Sequence, residues 1–362
     1  MSSNSITTAR GVSIIFEPNN MLTLPSVAIV ILNYNGVEYL KKFLPSVLAS
    51  TYINKEIIVA DNASTDDSVN WLKLNYPTIS LIILYENYGF AKGYNEALKQ
   101  IKSDYYVLLN SDVEVAENWI EPVITLMETD NKIGACQPKI LSYHDKTRFE
   151  YAGACGGWID SLGYPFSRGR VFDECEVDNG QYDSNQKIFW ASGAAFFVRA
   201  SVYNELLGFD EFFFAHQEEI DLCWRMQLHG FIIMACPLSV VYHIGGGTLP
   251  KGERKVFLNF RNNLVMVYKN WNASERIWKL PTRMILDLVS VIKFAASGDT
   301  ALARGVLKAQ IAFIKWILGS KKANNFSLKK SRELHGVFEG LLVAEYFIKK
   351  KKKFSEIVLE QN

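Results

Sequence analysis

VAIVILNYNG, residues 27–36, decides how this chain is read. Six consecutive apolar residues without alternation mark a strand covered on both faces, and Asn33-Tyr34-Asn35-Gly36 marks its end. Helical spacing takes over at 36–49, where Val37, Leu40, Leu44, Val47 and Leu48 share one side. The same beat repeats three times. Strand 56–60 (EIIVA) leads to a capped helix start at 65–73, strand 79–84 (ISLIIL) to a helix at 91–101, and strand 105–109 (YYVLL) to a helix at 117–128. Strand and helix in alternation predict an α/β fold, doubly wound around a mostly parallel sheet. Ligands of such sheets bind beyond the carboxyl ends of the strands, where the strand order reverses.

Beyond residue 130 the chain is rich in glycine and aromatics, with short strands at 194–198 and 231–235 and one helix at 218–229. From 255 onward it reads as mostly helical, apolar and basic, and ends near a lysine run at 349–353. The 362 residues are 49% apolar and 21% charged, an ordinary globular balance, and the net charge of +1 argues against a nucleic-acid binder. That average hides an asymmetry. Residues 255–362 hold 20 Lys/Arg against 8 Asp/Glu, whereas the preceding part holds 19 against 30, which points to different partners for the two parts. Five cysteines without a CxxC pair fit a reducing compartment. The polar start lacks a signal-peptide core, and the best apolar stretch, 284–296, is short and carries Asp287 and Lys293. The expectation is a cytoplasmic protein.

Three strand ends carry polar clusters: Asn33 and Asn35; Asp61 and Asn62, followed by 63–66 (ASTD); and Asn110-Ser111-Asp112. Any one of them is ordinary turn and cap chemistry, but three converging on one sheet edge make a site. Asp112 lies just past an apolar strand, so its carboxylate can project from the sheet edge. A hard cation such as Mg²⁺ or Mn²⁺ takes one or two such carboxylates and completes its shell with phosphate and water. No P-loop and no Gly-x-Gly-x-x-Gly follows the first strand, which excludes the usual NTPase and dinucleotide readings. Instead GFAKG (89–93) opens a helix whose amides, with Lys92, are placed to face a ligand's phosphate or base. Glu218-Glu219-Ile220-Asp221 opens another helix. Crowded carboxylates raise one another's pKa, and a carboxylate so poised acts as a base. Asp221 has Arg225 as its i,i+4 partner, which leaves Glu218 and Glu219 as candidates. His243 ends an apolar stretch just before a glycine-rich segment and is an acceptable ligand for Mn²⁺.

Taken in order, VAIVILNYNG, EIIVADNASTDDS, ENYGFAKGYNEAL, YYVLLNSDVEV, SGAAFFVRASV with GFDEFFF, EEIDLCWR and VVYHIGGGT resemble the family 2 glycosyltransferases. The likeness is nearest to the rhamnosyltransferase-like branch that builds bacterial surface polysaccharides, and it covers about residues 26–270. The resemblance implies a GT-A fold. It divides the catalytic domain at 26–254 into a nucleotide-sugar half at 26–130 and an acceptor half at 131–254, between the loose leader at 1–25 and the basic helical region at 255–362 that the residues themselves give. It assigns Asp61 to the donor base and ribose, and Asp112 to the metal as the last acid of a DxD motif whose first position here is Asn110. Glu219 matches the catalytic acid of the family's "ED" pair, His243 the histidine that joins metal and diphosphate, and Trp190, Ser192 and Gly193 the acceptor side. The implied reaction is a metal-assisted, inverting single displacement from a dTDP- or UDP-sugar to an acceptor hydroxyl, with a lipid-linked glycan as the expected acceptor. A sugar-nucleotide nucleotidyltransferase would show a basic, glycine-rich loop after the first strand, and residues 33–36 hold no Lys or Arg. An inactive carbohydrate-binding relative of the same fold is the non-enzymatic alternative.

The basic C-terminal region suggests one more partner. On a helix over 302–318, Arg304, Lys308 and Lys315 cluster, opposite Leu302, Val306, Phe313 and Ile317. A basic, amphipathic segment of this kind lies on anionic lipid, so the inner face of the cell membrane is a candidate docking surface.

Overall fold

A computed structural model describes residues 24–245, 252–319 and 329–358. Its first half follows the predicted alternation: β1 (Val27–Asn33), α1 (Val37–Leu48), β2 (Lys55–Asp61), α2 (Ser68–Asn75), β3 (Ser80–Ile83), α3 (Gly89–Leu98) and β4 (Tyr105–Asn110). The four strands are parallel in the order β3-β2-β1-β4, so the chain turns back across β1 to place β4. Register sets Asn33 beside Asp61 and Leu32 beside Asn110. The predicted polar clusters therefore emerge level at one sheet edge.

The sheet continues through β5 (Val113–Val115), α4 (Glu121–Glu128) and β6 (Ile133–Ser142). A second, smaller sheet begins with β7 (Gly157–Asp160), β8 (Pro165–Ser167), β9 (Arg170–Val171) and β10 (Glu174–Cys175). The chain then returns through β11 (Gln186–Ile188), β12 (Ala195–Arg199), α5 (Ala200–Glu205), α6 (Glu218–Leu228) and β13 (Ile232–His243). Strand β12 runs antiparallel between β4 and β6, and β13 runs parallel to β6. Short β5 pairs with the end of β13, with Val113 opposite His243. That pairing brings His243 beside Asp112, 131 residues earlier in the chain.

Alternate residues of the central strands feed two cores. Ala28, Val30, Ile58 and Leu108 pack on one face with α3 and α6 residues, while Ile29, Ile31, Val59 and Val107 pack on the other with α1 and α4 residues. Both faces are covered, which is why the strands read as continuous apolar runs. Helix α2 starts at Ser68 rather than at 65. The amides of Thr65 and Asp66 are taken by the Asn35 side chain at 2.7 and 3.2 Å, and Ala63 adopts φ 60°, so these residues build a loop.

The C-terminal region begins with three long helices, α7 (Glu253–Asn270), α8 (Ala273–Ala296) and α9 (Thr300–Gly319). These helices bear out the reading of the region as mostly helical, and the later described residues are less regular. Residues 329–358 form a strap in which β14 (Val337–Phe338) adds to β7, and Leu342, Phe354 and Ile357 enter a third core with Phe149 and Phe166. The lysine run is part of this packing: Lys349 and Lys351 each lie 2.7 Å from Glu345, and Lys352 lies 3.5 Å from Glu174. No helix among the described residues is long and apolar enough to cross a membrane.

Candidate active site

Beyond the carboxyl ends of β1 and β4 lies a cleft in two halves that share Phe90, Asn110 and Ala215. The first half, about 420 Å³, is lined by Tyr34, Asn35, Asn62, Asn110, Asp112 and Arg254 among others. Asn33 and Asp61 lie buried beneath it, joined by a 3.0 Å hydrogen bond from Asn33 Nδ2, and Asp61 Oδ2 accepts the Ser64 amide at 2.9 Å. Asn62 is engaged on both sides: its Nδ2 donates to the Gly89 carbonyl and its Oδ1 accepts from the Tyr88 amide, each at 3.0 Å. It thereby fixes the start of α3. The amides of Phe90 and Ala91 donate to the Phe214 carbonyl, so they do not face a ligand as the GFAKG reading expected. Lys92 lies 4.1 Å over the Tyr88 ring and is not among the residues lining the cleft. Gly89, at φ 73°, has to be glycine: a Cβ there would lie 2.5 Å from the Phe214 ring.

Asp112 occupies the seam of the cleft, with its side chain 4% exposed. Its Oδ1 is 3.1 Å from His243 Nε2, and its Oδ2 is buried without a hydrogen-bond partner. On the far side of the imidazole, Nδ1 lies 3.1 Å from Glu150 Oε2. Burial disfavours the His243 charge, but Asp112 and then Glu150 outweigh it and push the pKa up to about 10. The space between these acids is built for a positive charge. Glu150 escaped the sequence reading; the only signal was an acid set among the aromatics Phe149 and Tyr151. Among the described residues, no three His, Cys, Asp or Glu side chains form a complete metal cage.

The second half of the cleft, about 370 Å³, brings together Trp190, Ser192, Gly193, Glu218, Glu219 and His243. Trp190 Nε1 donates to the Trp158 carbonyl at 2.9 Å and the Ser192 amide to Gln137 Oε1 at 2.9 Å, so both residues are held rigidly. Glu218 and Glu219 open α6, and each has an unpartnered, buried Oε2. Burial, and then the charge of Glu219, push the Glu218 carboxyl well above its ordinary range. Burial pushes Glu219 up to about 7. Asp221 is engaged elsewhere, as the sequence anticipated: Arg225 binds it at 2.8 Å and Lys269 at 3.1 Å. Burial opposes its charge, but these two cations outweigh that effect and hold its carboxyl low.

The turn that aims this pair is strained. Phe214, His216 and Gln217 adopt φ of 62°, 72° and 76°, a region that costs a side-chain-bearing residue about 1 kcal/mol or more. Two asparagines of α7 hold it. Buried Asn262 Nδ2 donates to the carbonyls of Phe213, Ala215 and His216 at 2.8–2.9 Å. Asn263 Nδ2 reaches Gln217 Oε1 at 3.1 Å and the Gly163 carbonyl at 2.8 Å. Two adjacent asparagines inside an otherwise amphipathic helix were the available signal, and it went unread. Asn262→Ala removes three hydrogen bonds and takes the side-chain donor from the Ala215 and His216 carbonyls, while the Phe213 carbonyl keeps the Ala215 amide, so urea unfolding should show a loss of about 2 kcal/mol. A loss below about 1 kcal/mol would mean that the turn holds itself.

A family model described as "Glycosyl transferase family 2" matches residues 28–206. The chain is 26% identical over 235 residues to an N-acetylglucosaminyl-diphospho-decaprenol L-rhamnosyltransferase of Mycobacterium tuberculosis, covering 61% of this chain and 75% of that protein. It is 23% identical over 249 residues to a low-salt glycan biosynthesis hexosyltransferase of Haloferax volcanii, covering 67% and 75%. Among solved structures, GalNAc-T7 with UDP, GalNAc and Mn²⁺ superposes with a TM-score of 0.54 at 16% identity, over 72% of this chain and half of that one. A Pyrobaculum calidifontis mannosyltransferase in complex with GDP-Man and Mn²⁺ superposes with a TM-score of 0.50 at 15% identity, over 81% and 88%. The structural likenesses speak for the fold.

Proposed function

Residues 28–206 make this chain a family 2 glycosyltransferase on a GT-A fold, and we propose that it transfers a sugar, with inversion, from a dTDP- or UDP-sugar to a hydroxyl of a lipid-linked glycan. The family supports glycosyltransfer, and the names of the M. tuberculosis and H. volcanii relatives support a role in the synthesis of polysaccharide or lipid-linked glycan. The observation that carries the finer reading is the pairing of two unlike acidic centres across one cleft: Asp112 with His243 at the seam, and the raised Glu218–Glu219 pair in the adjoining half.

The Asp112 half accommodates the donor, with Asn35, Asn62 and Asn110 at its walls and Arg254 at its rim. A divalent cation fits there on the evidence of the buried, unpartnered Asp112 Oδ2, with His243 Nε2 as its neighbour. When bound, such an ion supplies positive charge against the departing diphosphate. Glu150 sets a second negative charge behind the imidazole, 3.1 Å from Nδ1, on the side away from Asp112. In the other half, Glu219 accepts the proton of the acceptor hydroxyl. That oxygen bonds to the anomeric carbon as the bond to the diphosphate breaks on the opposite face, which inverts the configuration. Glu218, whose carboxyl is held well above its ordinary range by burial and then by the charge of Glu219, is the second candidate for that base. The choice of acceptor draws on the M. tuberculosis relative, whose name specifies a diphospho-decaprenol carrier.

Purified protein incubated with a panel of nucleotide sugars and an acceptor extract should release nucleoside diphosphate in Mn²⁺ and not in excess chelator. The product anomer, read by NMR, should be opposite to the donor's. Pyrophosphate release would instead identify a nucleotidyltransferase, and no release from any donor would point to a binding protein.

A further inference from the structure

Helix α8 is inside out. The residues it buries are Glu275, Lys279, Arg283 and Asp287, paired as Glu275–Lys279 at 2.6 Å and Arg283–Asp287 at 2.9 Å. Charged residues are almost never fully buried without such pairing. The face it exposes between residues 277 and 292 carries no charge: Ile277, Trp278, Ile285, Leu288, Val289 and Ile292 are 78%, 56%, 63%, 41%, 55% and 69% exposed. At 100° per residue these six fall within an arc of about 120°. An apolar face turned to solvent while salt bridges are turned inward marks a binding surface.

The surface extends to both sides of α8. Gln310 Nε2 donates to the Met284 carbonyl at 2.8 Å, which sets α9 along one flank and brings the exposed Leu307, Ile311, Ile314 and Leu318 alongside. Lys293 lies 4.8 Å over the Phe347 ring on the other flank, where Phe347 and Ile348 are also exposed. Cations edge this apolar area: exposed Lys315 on α9, Lys293 on α8, and Lys350 after Ile348. The area also abuts the second half of the cleft. Tyr164, which lines that half, donates to buried Asp287 at 3.3 Å, and Phe172, also in the lining, packs on Phe347 with ring centroids 5.2 Å apart.

We infer that this face, with α8 at its centre, seats the enzyme on an anionic lipid bilayer, the apolar side chains entering the headgroup–acyl boundary and the flanking lysines meeting the lipid charge. Apolar residues with a tryptophan on one face and basic residues beside them are the pattern of a helix that lies in the interface plane. The location differs from the one the sequence suggested: Arg304 and Lys308 are 3.6 and 2.6 Å from Glu253 of α7, and the contact surface is the apolar stripe beside them. A second copy fits less well, because a self-complementary pairing of this face sets its lysine edges against each other. Seating on lipid in this way turns the acceptor half toward the surface that would hold a lipid-linked substrate. The acceptor's identity rests on the proposed function, but the lipid contact does not.

The full chain should co-sediment with phosphatidylglycerol/phosphatidylcholine vesicles, and much less with phosphatidylcholine alone. High salt should reduce binding without abolishing it, since the apolar insertion remains. The double variant Ile285→Glu/Ile292→Glu changes exposed positions only, so its circular dichroism should match wild type while the bound fraction falls at least about ten-fold. Absence of vesicle binding by the wild type, or equal binding by the variant, overturns the inference. So does a lipid-free dimer in ultracentrifugation that the same substitutions convert to monomer, since the face would then belong to a second copy. Neither assay needs donor or acceptor, so failure here is separate from failure of the proposed transfer reaction.

Discussion

Asp112→Asn is expected to lower transfer by about a thousand-fold with the fold intact. Positive charge against a departing diphosphate stabilises the transition state by several kcal/mol, and each 1.36 kcal/mol is a factor of ten. Asparagine keeps the shape and one oxygen acceptor, so the His243 neighbourhood should hold, while the buried anion that attracts a cation is gone. Activity does not have to be the first readout. Thermal unfolding of the wild type should shift upward on adding Mn²⁺, because a ligand that binds only the folded state stabilises it. The Asp112→Asn variant should show no such shift. The wild-type shift should also shrink on acidification, since an imidazole held protonated up to about pH 10 has to release its proton to take a metal. Full transfer activity of Asp112→Asn in chelator would remove the metal from this site. Glu150→Gln offers a graded comparison: it leaves Asp112 in place and removes only the second negative charge behind the imidazole, so its effect should be smaller.

The donor half of the fold was legible because its strands are covered on both faces. Residues 27–32 and 105–109 therefore appear as unbroken apolar runs, and parallel order follows from the helices between them. The polar edge was legible for the same reason: Asn33, Asp61 and Asn110 are the first polar residues to break these apolar runs, each at the carboxyl end of its strand. Contacts made across long stretches of chain were not legible. Glu150 belongs to the site only because β13 carries His243 back to it, and Asn262 matters only because α7 passes behind a strained turn nearly fifty residues earlier. Nothing local to either residue encodes the distance. The C-terminal strap misled in a different way. Apolar and basic residues at 341–353 read as one amphipathic surface segment, whereas Leu342 and Tyr346 turn into a third core with Phe149, Phe166 and Phe354 and leave Phe347 and Ile348 exposed. In α8 the stretch 284–296 read only as short and apolar, and which of its faces turned inward depended on pairings with Leu162, Tyr164 and Ser331 far along the chain.

Glu219→Gln should reduce transfer by roughly 10² to 10⁴-fold while leaving donor binding in place, the range expected on losing a positioned general base. The amide keeps the size of the side chain and cannot accept the proton. Donor affinity, measured by calorimetry with the nucleoside diphosphate, should be unchanged because the first half of the cleft is not altered. Glu218→Gln should cost less: burial and then the charge of Glu219 already disfavour the ionised Glu218 carboxyl, so a neutral amide there is the smaller change. The pH profile separates the two acids further. With the Glu219 carboxyl at about 7, kcat/KM should fall with unit slope as pH drops below 7, and Glu219→Gln should lack that limb. Stability should run the opposite way. A folded-state pKa near 7 against an ordinary value of 4.5 means that the native protein binds more protons across that interval. Stability therefore declines as pH rises from 4.5 to 7, and the glutamine variant should be less sensitive there. If Glu218→Gln proves the crippled variant and abolishes the acid limb, the roles within the pair are reversed. If both variants keep full activity, the base lies elsewhere in the cleft, and His216 becomes the residue to test. Burial and then Lys255 hold its imidazole down at about 4, so it is neutral and able to accept a proton at physiological pH.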